Sequence, residues 1–139
     1  MKVVLDTNIL ISAFVFPGGA PEFVYRAAVE RRIDLVTSPS LLAEFGRVLS
    51  EKFGWEPAMA ERAVEQVARI ATVVRPTKKL SVIEQDPADD RVLEAAAEGA
   101  AEVIVSGDRH LTRIGPWEGI RILKARAFLA ELGVAIDGD

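Results

Sequence analysis

The sequence predicts an α/β domain, a three-layer α/β/α sandwich built on a short central parallel sheet. Three observations predict it. Short β-branched runs alternate with segments of helical period, the pattern of successive βαβ units. Half of the 139 residues are hydrophobic and 27% are charged, a globular composition. No internal repeat and no Pro/Gly/Ser-rich linker divides the chain, so a single domain is expected over 1–139.

Val3, Val4 and Leu5 read as a short buried strand. Asp6-Thr7-Asn8 follows, and 9–15 reads as a helix capped near Thr7 or Asn8. Pro17-Gly18-Gly19-Ala20-Pro21 is a turn. A helix over 22–32 carries Phe23, Val24, Ala27 and Ala28 on one side, and 34–37 is a second strand. Ser38-Pro39 is a helix start, with Ser as the cap and Pro in the first turn. Leu41, Leu42, Phe45, Val48 and Leu49 then recur at helical spacing to about Phe53. A further helix over 58–70 turns Ala60, Ala63, Val64, Val67 and Ile70 inward, and Val73-Val74 reads as an edge strand. The stretch 77–85 shows no clear period. Asp86-Pro87 opens a helix running to about Gly99. Val103-Ile104-Val105 is a buried strand, 110–114 a short turn or helix, 120–123 the last strand and 125–132 a closing helix.

Composition excludes several chemistries. With no cysteine there are no disulfides, zinc ribbons or thiol nucleophiles, and the lone histidine, His110, rules out a His-rich metal site. Seventeen basic residues stand against 21 acidic ones, a net charge of −4. Proteins that bind nucleic acid through a broad basic face look different. Binding it here requires a local device that offsets the acids, such as bound cations. No apolar run approaches the roughly 20 residues needed to span a bilayer. An acid is reached by Asp6, which predicts no secretory signal and a cytoplasmic protein without a membrane partner.

In an open parallel sheet, ligands bind beyond the C-terminal ends of the strands. Asp6 directly follows the first predicted strand, and Asp108 follows the strand at 103–105. Either acid alone reads most simply as a helix cap. Glu44 lies on the shoulder of an apolar helical stripe, beside Leu41 and Val48. In the helix from Asp86, Asp89 stands a helical turn before Val92 and Leu93 and so projects inward, whereas Asp90 points about a quarter-turn away. Acids in a first turn complement the helix dipole, yet that leaves the inward position of Asp89 unexplained. Converging at one sheet edge, Asp6, Glu44, Asp89 and Asp108 would resist joint ionisation. Oxygen-only donors select a hard dication, Mg²⁺ or Mn²⁺.

Asp6-Thr7-Asn8-Ile9-Leu10-Ile11-Ser12, the turn at 17–21, Asp86-Pro87-Ala88-Asp89-Asp90 and Val105-Ser106-Gly107-Asp108-Arg109-His110-Leu111 together resemble the PIN-domain family. They resemble in particular its branch of toxins from toxin–antitoxin pairs, over essentially the whole chain. The resemblance implies a metal-dependent endoribonuclease, with an antitoxin protein and a second copy of the chain as partners. Its four acids fall on Asp6, Glu44, Asp89 and Asp108. Asp90 is the neighbouring candidate for the third, because a one-residue gap exchanges it with Asp89. Its hydroxyl before Gly-Asp falls on Ser106 and its buttressing Asn on Asn8; with Thr7 these would orient the carboxylates. Arg109 and His110 are candidates for contact with substrate phosphate. The implied reaction is hydrolysis of RNA, single-stranded or looped, leaving 5′-phosphate and 3′-hydroxyl ends.

Two other readings compete. A phosphoacceptor receiver domain is also α/β with a strand-end acid cluster and a lysine after its last strand, where this chain has Lys124. It requires paired acids after the first strand, and here Asp6 precedes Thr7-Asn8. The other is a module of the same fold that binds RNA without cutting it.

Overall fold

The computed structural model describes residues 1–83 and 87–135. Asp86, part of one motif above, lies outside the described residues. Five strands form one parallel sheet: β1 (Lys2–Leu5), β2 (Asp34–Thr37), β3 (Thr72–Val73), β4 (Val103–Val105) and β5 (Arg121–Leu123). Seven helices are present among the described residues: α1 (Thr7–Val15), α2 (Ala20–Val29), α3 (Pro39–Glu51), α4 (Pro57–Ile70), α5 (Pro87–Glu98), α6 (Arg109–Arg113) and α7 (Ala125–Leu132). None of them is long and apolar enough to cross a membrane.

The three layers follow from strand alternation. Val3, Leu5, Leu35, Val103 and Val105 face a core shared with α1, α2, α3, α4 and α7. Val4, Val36 and Ile104 face the opposite core, where Val92, Leu93 and Ala96 of α5 meet Leu111 of α6. β1 and β4 are buried on both faces, which is why they read as unbroken apolar runs instead of alternating ones. Trp55 packs against the first core and Trp117 against the second, both partly buried.

The helix boundaries are set by local chemistry. Ser38 caps α3, its Oγ accepting the Leu41 N–H at 3.3 Å, with Pro39 at the first helical position. The 22–32 segment starts earlier than its apolar period indicates, at Ala20, because Gly19 and Pro21 form the entry. α1 begins at Thr7, with Asp6 in the cap position instead of Thr7 or Asn8. Residues 77–83, in the segment that shows no period in the sequence, are held by α5. Asp90 Oδ1 accepts the Val82 and Ile83 N–H groups at 2.8 and 2.9 Å, Glu94 accepts the Leu80 N–H at 2.7 Å, and Glu98 accepts the Thr77 N–H at 2.9 Å. These acids are spaced by four along the helix, one stripe that stitches down a strap with no ladder of its own.

The strand order is β3-β2-β1-β4-β5. The chain builds outward from β1 through β2 to β3, then returns to place β4 on the other side of β1. The direction of winding reverses between β1 and β4, and in such sheets the crevice beyond that point is the ligand position. A receiver domain has the order 2-1-3-4-5, so this topology excludes that reading.

Candidate functional site

The crevice is made by the ends of β1, β4 and β5. The Asp6 N–H donates to the Val105 carbonyl at 3.0 Å, and the Ser106 N–H to the Leu123 carbonyl at 2.9 Å. These bonds carry the ladder one step past the strands and bring Asp6 and Ser106 side by side. The Ser106 hydroxyl is fully buried and joins the two strand-end acids. It donates to Asp6 Oδ2 at 2.6 Å and accepts the Asp108 N–H at 3.0 Å.

Asp6 and Asp108 answer the helix-cap question differently. Asp108 is a cap, its Oδ1 accepting the His110 N–H at 2.7 Å. Asp6 occupies the cap position of α1, but its side chain makes no capping hydrogen bond. Its carboxylate is turned to Ser106 instead. Asp6 is 4% exposed. Burial pushes its carboxyl above the usual Asp range, and the charges of Asp108 and Glu44 push the same way. The Ser106 hydroxyl and the nearby Asn8 N–H oppose them, the latter without closing a cap bond.

Glu44 is half-buried on α3, within electrostatic reach of Asp6. Asp89 is buried in the first turn of α5. Asp90 is also buried, but its Oδ1 is engaged with the strap at 82–83. Asp6 therefore feels the charges of both Asp108 and Glu44. Among the described residues, however, no three Asp, Glu or His side chains stand close enough to hold a metal ion. The close four-acid convergence expected from the sequence is thus not assembled. The donor set remains oxygen-only, centred on a buried carboxylate whose charge is poorly compensated. That chemistry fits a hard dication bound through one or two carboxylates and water, the habit of Mg²⁺, better than the 6–8 oxygen shell of Ca²⁺.

Of the expected supporting residues, Ser106 bonds to Asp6, Asn8 is exposed at the cleft, and the Thr7 hydroxyl is buried with no hydrogen-bond partner among the described residues. A cleft of about 610 Å³ opens here, lined in part by Asn8, Ser12, Asp108, Arg109 and Lys124. His110 is half-buried and is not part of that lining. Ser12 and Lys124 escape a search for strand-end acids. Ser12 is findable by its i+4 spacing from Asn8, and Lys124 by its place directly after β5. Several basic side chains are committed elsewhere. Arg26 pairs with Glu22 and Arg47 with Glu51, while Arg31 and Arg32 donate to the carbonyls of Ile70 and Leu132.

Comparisons with known proteins agree with this fold. The chain is 31% identical over 115 residues to an uncharacterized protein of Methanocaldococcus jannaschii, covering 80% of this chain and 73% of that protein. The fold is similar to VapBC2 from Rickettsia felis, solved bound to a DNA fragment from its promoter, with TM-score 0.63, 14% identity, and coverage of 88% of this chain and 97% of the other. It is also similar to VapBC-1 from nontypeable Haemophilus influenzae, with TM-score 0.60, 19% identity, and coverage of 91% and 99%. The family model described as PIN domain matches residues 2–110. With that match spanning most of the chain, from β1 through β4 to the start of α6, the chain belongs to the PIN-domain family.

Proposed function

We propose that this protein is a metal-dependent endoribonuclease acting at the β1–β4 crevice, and the toxin of a toxin–antitoxin pair. The observation that carries the reading is Asp6: a buried carboxylate, loaded by two neighbouring acids, held at the switch point of the sheet by a buried serine. Acids held so that their charges conflict mark functional sites.

Asp6 and Asp108 would hold Mg²⁺ or Mn²⁺, with Glu44 and Asp89 completing the acidic wall and Asp90 serving the strap. When bound, the dication neutralises phosphodiester charge and lowers the pKa of water at the site. The chain's own residues do the rest. Ser106 fixes the orientation of the Asp6 carboxylate and, through the Asp108 N–H, the start of α6. Burial of Asp6 weakens competition from bulk water. Arg109 at the cleft wall meets substrate phosphate. Attack by water leaves 5′-phosphate and 3′-hydroxyl ends.

The antitoxin partner is supported by the resemblance in sequence and by the VapBC structures that share the fold. An apolar surface is available for a partner chain, antitoxin or second copy: Phe16, 61% exposed, sets its edge against Phe53 at 5.7 Å between ring centroids.

The test is cleavage of structured RNA with Mg²⁺ or Mn²⁺, with EDTA, and by Asp6→Asn. Cleavage that requires the metal and falls at least roughly 10²-fold in the variant supports the reading. The open arrangement of the acids among the described residues favours one rival, RNA binding without hydrolysis. Retained RNA binding with no metal-dependent cleavage would establish that rival.

A further inference from the structure

We infer that Lys124 is a substrate-phosphate contact of the crevice, gripping a single-stranded RNA backbone on the wall formed by β5 and α7. The inference rests on the nuclease reading and names a residue which that reading leaves unused.

Lys124 is exposed and lines the same cleft as Asn8, Ser12, Asp108 and Arg109. Leu123, the residue before it, accepts the Ser106 N–H, so Lys124 leaves the backbone directly beside the serine that joins the two acids. Its ammonium forms no ion pair among the described residues, unlike Arg26, Arg47, Arg91 and Arg121.

The position is a poor one for a lysine on stability grounds. Lys124 is the cap residue of α7, at φ −75° and ψ 159°, and makes no side-chain cap hydrogen bond. Cap positions favour Ser, Thr, Asp and Asn, whose oxygens accept an otherwise unpaired N–H. A lysine has no acceptor, and its charge adds to the positive end of the helix dipole. Arg109, the other cation of the cleft, likewise stands at a helix start, the first residue of α6. In a chain of net charge −4, two cations therefore face one cleft beside Asp108, one of them at a cap position where it opposes a helix dipole. A phosphodiester lying across the cleft relieves that conflict and uses both charges.

The experiment uses Asp6→Asn protein, so that oligoribonucleotides are bound without being cut. Binding of single-stranded RNA is followed by fluorescence anisotropy across a salt series, with Lys124, Lys124→Ser and Lys124→Arg compared. Lys124→Ser is expected to weaken binding about three- to tenfold at low salt, equally for unrelated sequences. It should reduce the slope of log K against log salt by about 0.7, one phosphate contact on a single strand. Lys124→Arg should keep most of the affinity. Lys124→Ser should also melt about 2–4 °C higher, because a true cap replaces a misplaced charge. Unchanged affinity and slope in Lys124→Ser overturn the inference, as does failure of the Lys124 protein to bind the oligonucleotide. Cleavage by wild type is measured separately. Intact cleavage with an unchanged slope removes Lys124 alone, whereas Lys124-dependent binding with no cleavage removes hydrolysis and leaves the phosphate contact standing.

Discussion

Replacing Ser106 by Ala removes the hydroxyl that joins Asp6 to Asp108 and leaves the backbone and packing in place. With Asp6 ionised, the lost bond, 2.6 Å long and fully buried, is a hydrogen bond to a charged group, worth about 1.5–3 kcal/mol. The Asp108 N–H also loses its acceptor, but Asp108 is half-buried and water replaces part of that bond. A net loss of about 2–3 kcal/mol is expected, equivalent to about 5–10 °C in Tm for a domain of this size. The effect depends on pH, and its sign follows from linkage. The Ser106 bond favours the Asp6 anion and lowers a pKa that burial and neighbouring acids raise. The charge-dependent part of the stability Ser106 contributes is therefore fully present above the Asp6 pKa and lost as pH falls through it. Asp6 itself acts in the opposite sense: with its folded pKa raised, ionisation of Asp6 costs stability as pH rises through that value. Urea unfolding of wild type and Ser106→Ala, at about pH 7.5 and as far towards acid as the fold holds, should show a gap that narrows on acidification. In an Asp6→Asn background the serine faces a neutral acceptor, and the same substitution should cost only about 1 kcal/mol. An equal cost at both pH values, or in both backgrounds, would refute the charged hydrogen bond as the organiser of the site.

Asp89→Asn should cut metal-dependent cleavage by at least about tenfold with little change in binding of a cleaved product, since ligand loss typically costs 10–100-fold. Asp90→Ala should cost about 2–3 kcal/mol in urea unfolding, because two strap N–H groups lose a charged acceptor. A variant at Asp90 that keeps its stability and loses cleavage would transfer the catalytic assignment to Asp90. Gly99→Ala should destabilise by about 1–3 kcal/mol, since its Cβ would stand 2.5 Å from Val36 Cγ1 between α5 and the sheet. Wild-type stability in that variant would mean the contact relaxes freely.

Local chemistry made much of this legible. Ser38-Pro39 announces α3 because a cap oxygen and a proline suit only a helix start. The β1 and β4 runs announce buried parallel strands because β-branched apolar residues without alternation suit a sheet covered on both faces. Asp6 and Asp108 are recognisable as strand-end acids for the same reason. Their different roles are not, since either can cap a helix, and only the neighbouring strand decides which one does. Asp90, Glu94 and Glu98 are a further case. Their spacing of four is plain in the sequence, but an acidic stripe reads as a solvated face until the strap at 77–83 is seen lying on it.

The sequence by itself determined the layers, the periods and which residues can be acids at strand ends, because burial and helix geometry act on near neighbours along the chain. Tertiary structure alone decided the order β3-β2-β1-β4-β5, and with it the site. Asp6 and Ser106 are a hundred residues apart and become hydrogen-bonded partners only because β4 crosses to the far side of β1. The same crossing brings Lys124 to the wall of that crevice. No period or composition carries such information, because pairing between distant strands depends on how the whole core packs.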